Sequence, residues 1–306
     1  MRTRPPYDPE LRTLLAALPP LPALGPDTLA QLRPYASTAV DRLLEGRPIS
    51  RRDVPAPRLT VLGPPDVTAA PCVYWIHGGG MVMGDRFSQI DIPLGWLEAL
   101  GAVVVTVDYR LAPEARGTTL VEDCYEGLCW VAAHAAELGV DPGRIVVAGA
   151  SAGGGLAAGV TLLARDRGGP AIAAQLLIGP MLDHRNDSAS SRQFAAGPGV
   201  WTRAANEFGW RSVLEDGPVS PYVSPALTAD LSGLPTTYID AGSAEVFRDE
   251  DVAYATRIWA AGGQAELHVW AGGCHGFDAL FPRATVSAAA RRTREGWLRR
   301  VLKEVS

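Results

Sequence analysis

Residues 144–155, Arg144-Ile145-Val146-Val147-Ala148-Gly149-Ala150-Ser151-Ala152-Gly153-Gly154-Gly155, decide the fold. Ile145 to Ala148 are apolar without alternation, as in a strand covered on both faces of a parallel sheet. The run passes directly into Gly149-Ala150-Ser151-Ala152-Gly153, and a stretch rich in glycine and alanine follows. A strand turning into a helix through G-x-S-x-G sets its serine on a tight, strained corner. Side chains at 149 or 153 would meet the neighbouring strand and helix, hence the glycines. Ser151 Oγ is thereby lifted into a cleft, with the first N–H groups of the helix facing any developing negative charge. Ser151 is the candidate nucleophile.

The same rhythm extends in both directions. Apolar runs at 72–77, 102–109, 144–150, 174–179, 236–241 and 265–270 read as strands. Helical periodicity fills 86–100, 118–138, 152–167, 248–262 and 284–303. Strands alternating with helices predict an α/β fold, a mostly parallel central sheet flanked by helices. Residues 1–50 read as two short helices around the proline-rich LPPLPALGPD, with Asp27 a candidate N-cap. Residues 183–233 carry no clear strand but hold Phe194, Trp201, Phe208 and Trp210. We expect a catalytic domain of 51–182 and 234–306, with 1–50 and the 183–233 insertion forming a helical cap over the sheet's C-terminal edge. The last helix carries Arg291, Arg292, Arg294, Arg299, Arg300 and Lys303 opposite an apolar stripe of Trp297, Leu298, Val301 and Leu302, which reads as a solvated basic face.

Composition narrows the function. In 306 residues, 47% are hydrophobic and 20% charged, enough apolar material for a large core without a metal or disulfide. A net charge of −5 argues against nucleic acid and other polyanionic partners. No stretch approaches the ~18 apolar residues of a membrane span, and the N-terminal patch Leu14–Leu18 is too short for a signal sequence. Stable membrane insertion is not expected. The four cysteines, Cys72, Cys124, Cys129 and Cys274, fit no zinc spacing and are too sparse for a disulfide scaffold. They read as reduced thiols in a cytoplasmic protein.

Three further elements complete the chemistry. His77-Gly78-Gly79-Gly80 follows the strand CVYWI, and its glycines leave backbone N–H groups unobstructed. Such donors suit the oxyanion of a tetrahedral intermediate. We assign Gly78, Gly79 and Ala152 to that hole, with His77 as a loop anchor. Of the five histidines, His275 lies in Gly-Gly-Cys-His-Gly-Phe just after the last strand, where a parallel sheet gathers its site. It is the candidate base, which a weakly nucleophilic serine needs. Cys274, its neighbour, reads as an inert thiol. For the acid, Glu245, Asp249, Glu250 and Asp251 compete after the strand TTYIDAG. Glu245 lies just beyond the strand end and is favoured. Asp249 is the alternative, since acidic groups opening a helix serve its dipole in any case. The order Ser151, Glu245, His275 is nucleophile, acid, base. The reading is acyl transfer through an acyl-enzyme, with no cofactor and no metal. Met81, Phe194, Trp201 and Phe208 are candidate substrate contacts in an apolar pocket.

These segments together resemble the hormone-sensitive lipase family, also called bacterial family IV esterases, over roughly residues 70 to 300. The resemblance rests on HGGG at 77–80 with Gly84-Asp85 behind it, Asp108-Tyr109-Arg110-Leu111-Ala112-Pro113-Glu114, Asp141-Pro142-Gly143-Arg144 leading into GASAGG, Ser224-Pro225, and His275-Gly276-Phe277. It implies an α/β-hydrolase fold, hydrolysis of small carboxylic esters with short-to-medium acyl groups, and room for a homodimer through an edge strand and the last helix. Departures are Ala150 where the family has aspartate, Gly155 where asparagine is common, and Glu245 where the acid is usually aspartate. The longer glutamate requires its loop to retreat from His275. An amidase or peptidase with the same triad, or a non-catalytic binding member of the fold, is the alternative.

Overall fold

A computed structural model describes residues 4–195 and 200–304. Positions 196–199 of the insertion and the first three residues of the N-terminal segment lie outside that description. The chain runs α1 (Pro9–Ala16), α2 (Leu29–Leu32), α3 (Val40–Leu44), β1 (Ser50–Val54), β2 (Leu59–Gly63), β3 (Ala70–Ile76), α4 (Asp91–Leu100), β4 (Val103–Val107), α5 (Thr119–Ala133) and β5 (Val140–Ala150). It continues with α6 (Ala152–Arg167), β6 (Ala174–Ile178), α7 (Ala189–Gln193), α8 (Arg203–Val213), β7 (Thr236–Gly242), α9 (Arg248–Ala260), β8 (Ala265–Trp270), α10 (Phe277–Leu280) and α11 (Thr285–Glu304).

The eight strands form one sheet in the order β1-β2-β4-β3-β5-β6-β7-β8. From β4 to β8 every pairing is parallel, while β1 and β2 add an antiparallel edge. All six expected strands and all five expected long helices form. The sequence reading missed β1 and β2. In β1, Ser50-Arg51-Arg52-Asp53-Val54, only Val54 is buried, so no hydrophobic alternation marks it.

Alternate residues of one strand serve opposite layers because strand side chains point to opposite faces. Tyr74 of β3 and Val147 of β5 join Leu128 of α5, Leu156 of α6 and Ile258 of α9 in the larger core. Val73 and Trp75 of β3, with Val146 and Ala148 of β5, face Trp96 of α4 and Trp297 and Leu298 of α11. With both faces covered, the functional loops must emerge at the strand ends.

The basic face expected for the last helix is only partly solvated. Arg294 is 1% exposed, with Nε and Nη2 donating to Asp240 at 2.8 and 3.1 Å and Nη1 paired with Asp278. Arg291 reaches Asp91 at 2.6 Å and the Asp278 carbonyl at 2.8 Å. A guanidinium alternating with aliphatic positions looks like surface in the sequence; here the acid partners lie on β7, α4 and α10.

Candidate active site

Four loops at the C-terminal ends of parallel strands build the site: those after β3, β5, β7 and β8. The corner after β5 places Ser151 at φ 57° and ψ −122°. Its N–H donates to the Ile178 carbonyl at 2.8 Å, and its own carbonyl accepts from Met181 at 3.0 Å. A Cβ at Gly149 would stand 2.2 Å from the Gly153 carbonyl oxygen, and one at Gly153 would stand 2.0 Å from that of Ile76. Those glycines let the helix approach the strand closely enough to strain the serine.

Ser151 Oγ lies 2.8 Å from His275 Nε2. The other ring nitrogen, Nδ1, lies 2.5 Å from Glu245 Oε2. Glu245 is 3% exposed, and its remaining oxygen accepts the Gly242 N–H at 2.5 Å. The loop therefore folds the glutamate carboxylate back onto the end of β7. Phe247 meets the imidazole edge-on at 5.0 Å between ring centres. Ser151, Glu245 and His275 thus converge from positions up to 124 residues apart.

The competing carboxylates point elsewhere. Asp249 accepts the Ser190 N–H at 2.7 Å and the Arg248 Nε at 2.8 Å. Although burial opposes ionisation, Arg248 and Ser190 hold the Asp249 carboxyl below its ordinary value. Glu250 accepts the N–H groups of Leu182 and Asp183 at 2.8 and 3.1 Å, anchoring the start of the 183–233 segment. Asp251 is fully buried. Beside His275, Cys274 is 1% exposed, and burial followed by the nearby Glu245 pushes its thiol up to about 12. It stays protonated and is no rival nucleophile. All four cysteines are free.

The glycine loop departs from expectation at one position. The Gly78 N–H is engaged by Gln89 Oε1 at 2.9 Å. Among the described residues, the N–H groups of Gly79, Gly80 and Ala152 have no partner. Each of the two glycine amides is aimed by the carbonyl of its own peptide plane. The Gly78 carbonyl engages His77 Nδ1 at 2.7 Å, which orients the Gly79 N–H. The Gly79 carbonyl accepts from Val82 and Met83 at 3.1 and 3.0 Å, which orients the Gly80 N–H. His77 is fully buried, stacks on Tyr109 at 4.3 Å, and is held below its ordinary pKa by desolvation. Tyr109 also donates to the His77 carbonyl at 3.0 Å. His77 is expected from the sequence as a loop anchor, whereas the bond from Gly78 to Gln89 is not. Side-chain acceptors for loop amides leave no mark in residue spacing.

The expected substrate contacts divide. Trp201 is partly exposed, 6.4 Å from the His275 ring. Its indole lies so close to Gly80 that a Cβ there would meet Cη2 at 2.2 Å. Met81, Phe194 and Phe208 are buried within the larger core; Met81 has no exposed surface. No group of His, Cys, Asp and Glu side chains among the described residues could hold a metal ion. No helix among them is long and apolar enough to cross a membrane.

The family model described as the alpha/beta hydrolase fold matches residues 73–279. Esterase LipI of Mycobacterium tuberculosis is 37% identical over 227 residues, 72% of this chain and 71% of LipI. Carboxylesterase NlhH of the same organism is 34% identical over 304 residues, covering 96% and 95%. Among solved structures, a bacterial heroin esterase superposes with a TM-score of 0.85 at 35% identity, covering 97% of this chain and 98% of that one. The family match at 73–279 spans Gly78, Ser151, Glu245 and His275. The chain belongs to the α/β-hydrolase family, in its hormone-sensitive-lipase-like branch of bacterial esterases.

Proposed function

We infer that the chain is a serine carboxylesterase acting through an acyl-enzyme, with Ser151 as nucleophile, His275 as base and Glu245 as orienting acid. One observation carries this reading: a continuous hydrogen-bonded line from Ser151 Oγ through both nitrogens of His275 to Glu245 Oε2. In the first step Oγ attacks the ester carbonyl as its proton passes to Nε2. The carbonyl π pair moves onto oxygen, and the alkoxide settles among the Gly79, Gly80 and Ala152 N–H groups. Collapse expels the alcohol, which takes its proton from Nε2. Water then repeats the sequence on the acyl-serine, releasing the acid and restoring the hydroxyl. Glu245 stabilises the imidazolium and fixes which nitrogen carries the proton.

In this reading, residues 1–50 and 183–233 cap the catalytic domain, and Trp201 walls the cleft beside short-to-medium acyl esters. Support comes from Trp201 against Gly80 and from Arg33, whose Nε donates to the Val82 carbonyl at 2.9 Å. Unpaired thiols suit a reducing cytoplasm. The exposed Val269 on edge strand β8 suits a homodimer, which sedimentation would test.

The test is turnover of p-nitrophenyl esters of increasing acyl length beside the matching anilides. Esters of short acids should be cleaved far faster than the anilides. Preference for the anilides would replace esterase by amidase, and turnover of neither would end the catalytic reading.

A further inference from the structure

We propose that Arg33, far from the triad in sequence, is a positioning residue that holds the oxyanion loop in its working geometry. Arg33 opens a 3₁₀ turn, Arg33–Ala36, in the N-terminal segment. Its Nε donates to the Val82 carbonyl at 2.9 Å and its Nη2 to the Ala112 carbonyl at 3.0 Å. Both Nη atoms also grip the Glu114 carboxylate at 2.7 Å. The Ala112 N–H in turn donates to the Met81 carbonyl at 2.9 Å. Two consecutive loop carbonyls, Met81 and Val82, are thereby pinned within one closed ring of bonds that passes through Arg33.

That ring bears on the oxyanion donors. The Met81 carbonyl shares its peptide plane with the Val82 N–H and the Val82 carbonyl shares its plane with the Met83 N–H; both N–H groups bond the Gly79 carbonyl, whose own plane carries the Gly80 N–H. If either peptide turns, the Gly80 N–H loses its aim. The same 3₁₀ turn braces the loop's far end, where Ser88 Oγ donates to the Ala36 carbonyl at 2.5 Å and Ser37 bonds Asp85. The Arg33 bond holds Glu114 down to about 2, so the clamp persists across the neutral range. The side chains of Arg33 and Glu114 are 30% and 63% exposed. An ion pair so open to solvent adds little to folding, which leaves the two carbonyl contacts as its distinctive work.

This inference rests on the esterase reading, so the test measures both on the full chain with p-nitrophenyl acetate. Arg33→Ala should lower kcat by roughly 10- to 100-fold with KM within about twofold, because a catalytic group misplaced by about 1 Å can cost 10²-fold. Added guanidinium at millimolar concentration should restore part of the lost kcat. Arg33→Lys keeps a charge beside Glu114 but cannot fork to both carbonyls, and should fall with the alanine variant. Arg47→Ala, which removes an exposed pair with Glu98 in the same N-terminal segment, should match wild type. Unchanged kcat in folded Arg33→Ala, full activity in Arg33→Lys, or a loss of kcat that guanidinium leaves untouched would each overturn the proposal. If wild type itself turns over no ester, the esterase reading has failed instead.

Discussion

Glu245 Oε2 stands 2.5 Å from His275 Nδ1, while Glu245 Oε1 is occupied by the Gly242 N–H. The carboxylate is thus held at both oxygens and presents only one of them to the imidazole. This pairing predicts which carboxylate matters. Glu245→Gln should reduce turnover by roughly 10³–10⁴-fold, because an amide at that position favours the wrong imidazole tautomer. Asp249→Asn should retain most activity and lose stability instead, since Asp249 holds the Ser190 N–H and Arg248. Steady-state kinetics and thermal melts of both variants decide it; a crippled Asp249→Asn beside an active Glu245→Gln would reverse the assignment.

Ser151→Ala removes the hydroxyl proposed as nucleophile while leaving His275, Glu245 and the loop amides. Turnover should fall by about 10⁴-fold or more, leaving what binding and the oxyanion donors supply. Stoichiometric labelling by a phosphonate or fluorophosphonate should disappear in the same variant. Residual labelling at another residue would mean that a second nucleophile exists.

Much of the fold and part of the candidate site are legible in the sequence. Ser151 announces itself because the corner geometry demands glycines at 149 and 153, and His275 because few histidines fall at a strand's C-terminal end. Glu245 was readable only by position, since four carboxylates share one short stretch and their partners lie in distant segments. The sequence points to Gly78 and Gly79 as oxyanion donors, whereas the proposal takes Gly79 and Gly80, because the Gly78 N–H is engaged. Three consecutive glycines look equivalent in sequence, and only Gln89, eleven residues onward, distinguishes Gly78 from the others. Strand β1 and the buried Arg294 were hidden for a similar reason: polar residues signal surface unless their partners are known.

Asp251 gives a pH-dependent prediction. It is fully buried, and neither carboxylate oxygen has a hydrogen-bond partner among the described residues. Burial, then the neighbouring Glu250, Glu245, Asp240 and Asp249, pushes its carboxyl well above the ordinary value of 3.8. The unfolded chain releases this proton above about pH 4 while the native chain keeps it, so native stability declines as pH rises through that window. Asp251→Asn removes the penalty. Its advantage over wild type should be near zero at about pH 4 and grow by up to about 1.4 kcal/mol per pH unit until the native group ionises. Urea denaturation at several pH values measures this, and a difference that does not change with pH would refute the assignment.

Arg294 gives the opposite case, a buried charge that is fully matched. Its fork holds Asp240, and the same guanidinium pairs with Asp278; all three are almost entirely buried. Trp270 Nε1 completes the set by donating to Asp240 at 2.9 Å. Replacing Arg294 by methionine preserves volume but strands two carboxylates away from water. The expected loss is about 3–5 kcal/mol, the range for breaking a buried pair from one side. If charge is the cause, adding Asp240→Asn and Asp278→Asn should recover a large share, because the stranded groups become neutral. Asp240 also lies near the triad: its carbonyl accepts the Gly179 N–H at 2.6 Å, and β7 continues to Gly242, which holds Glu245. Turnover of the folded fraction should therefore fall less than stability does, since the backbone of β7 is kept by its sheet neighbours. Denaturation curves of the single and triple variants test the account, and a triple variant no more stable than Arg294→Met would show that lost packing, not unpaired charge, causes the damage.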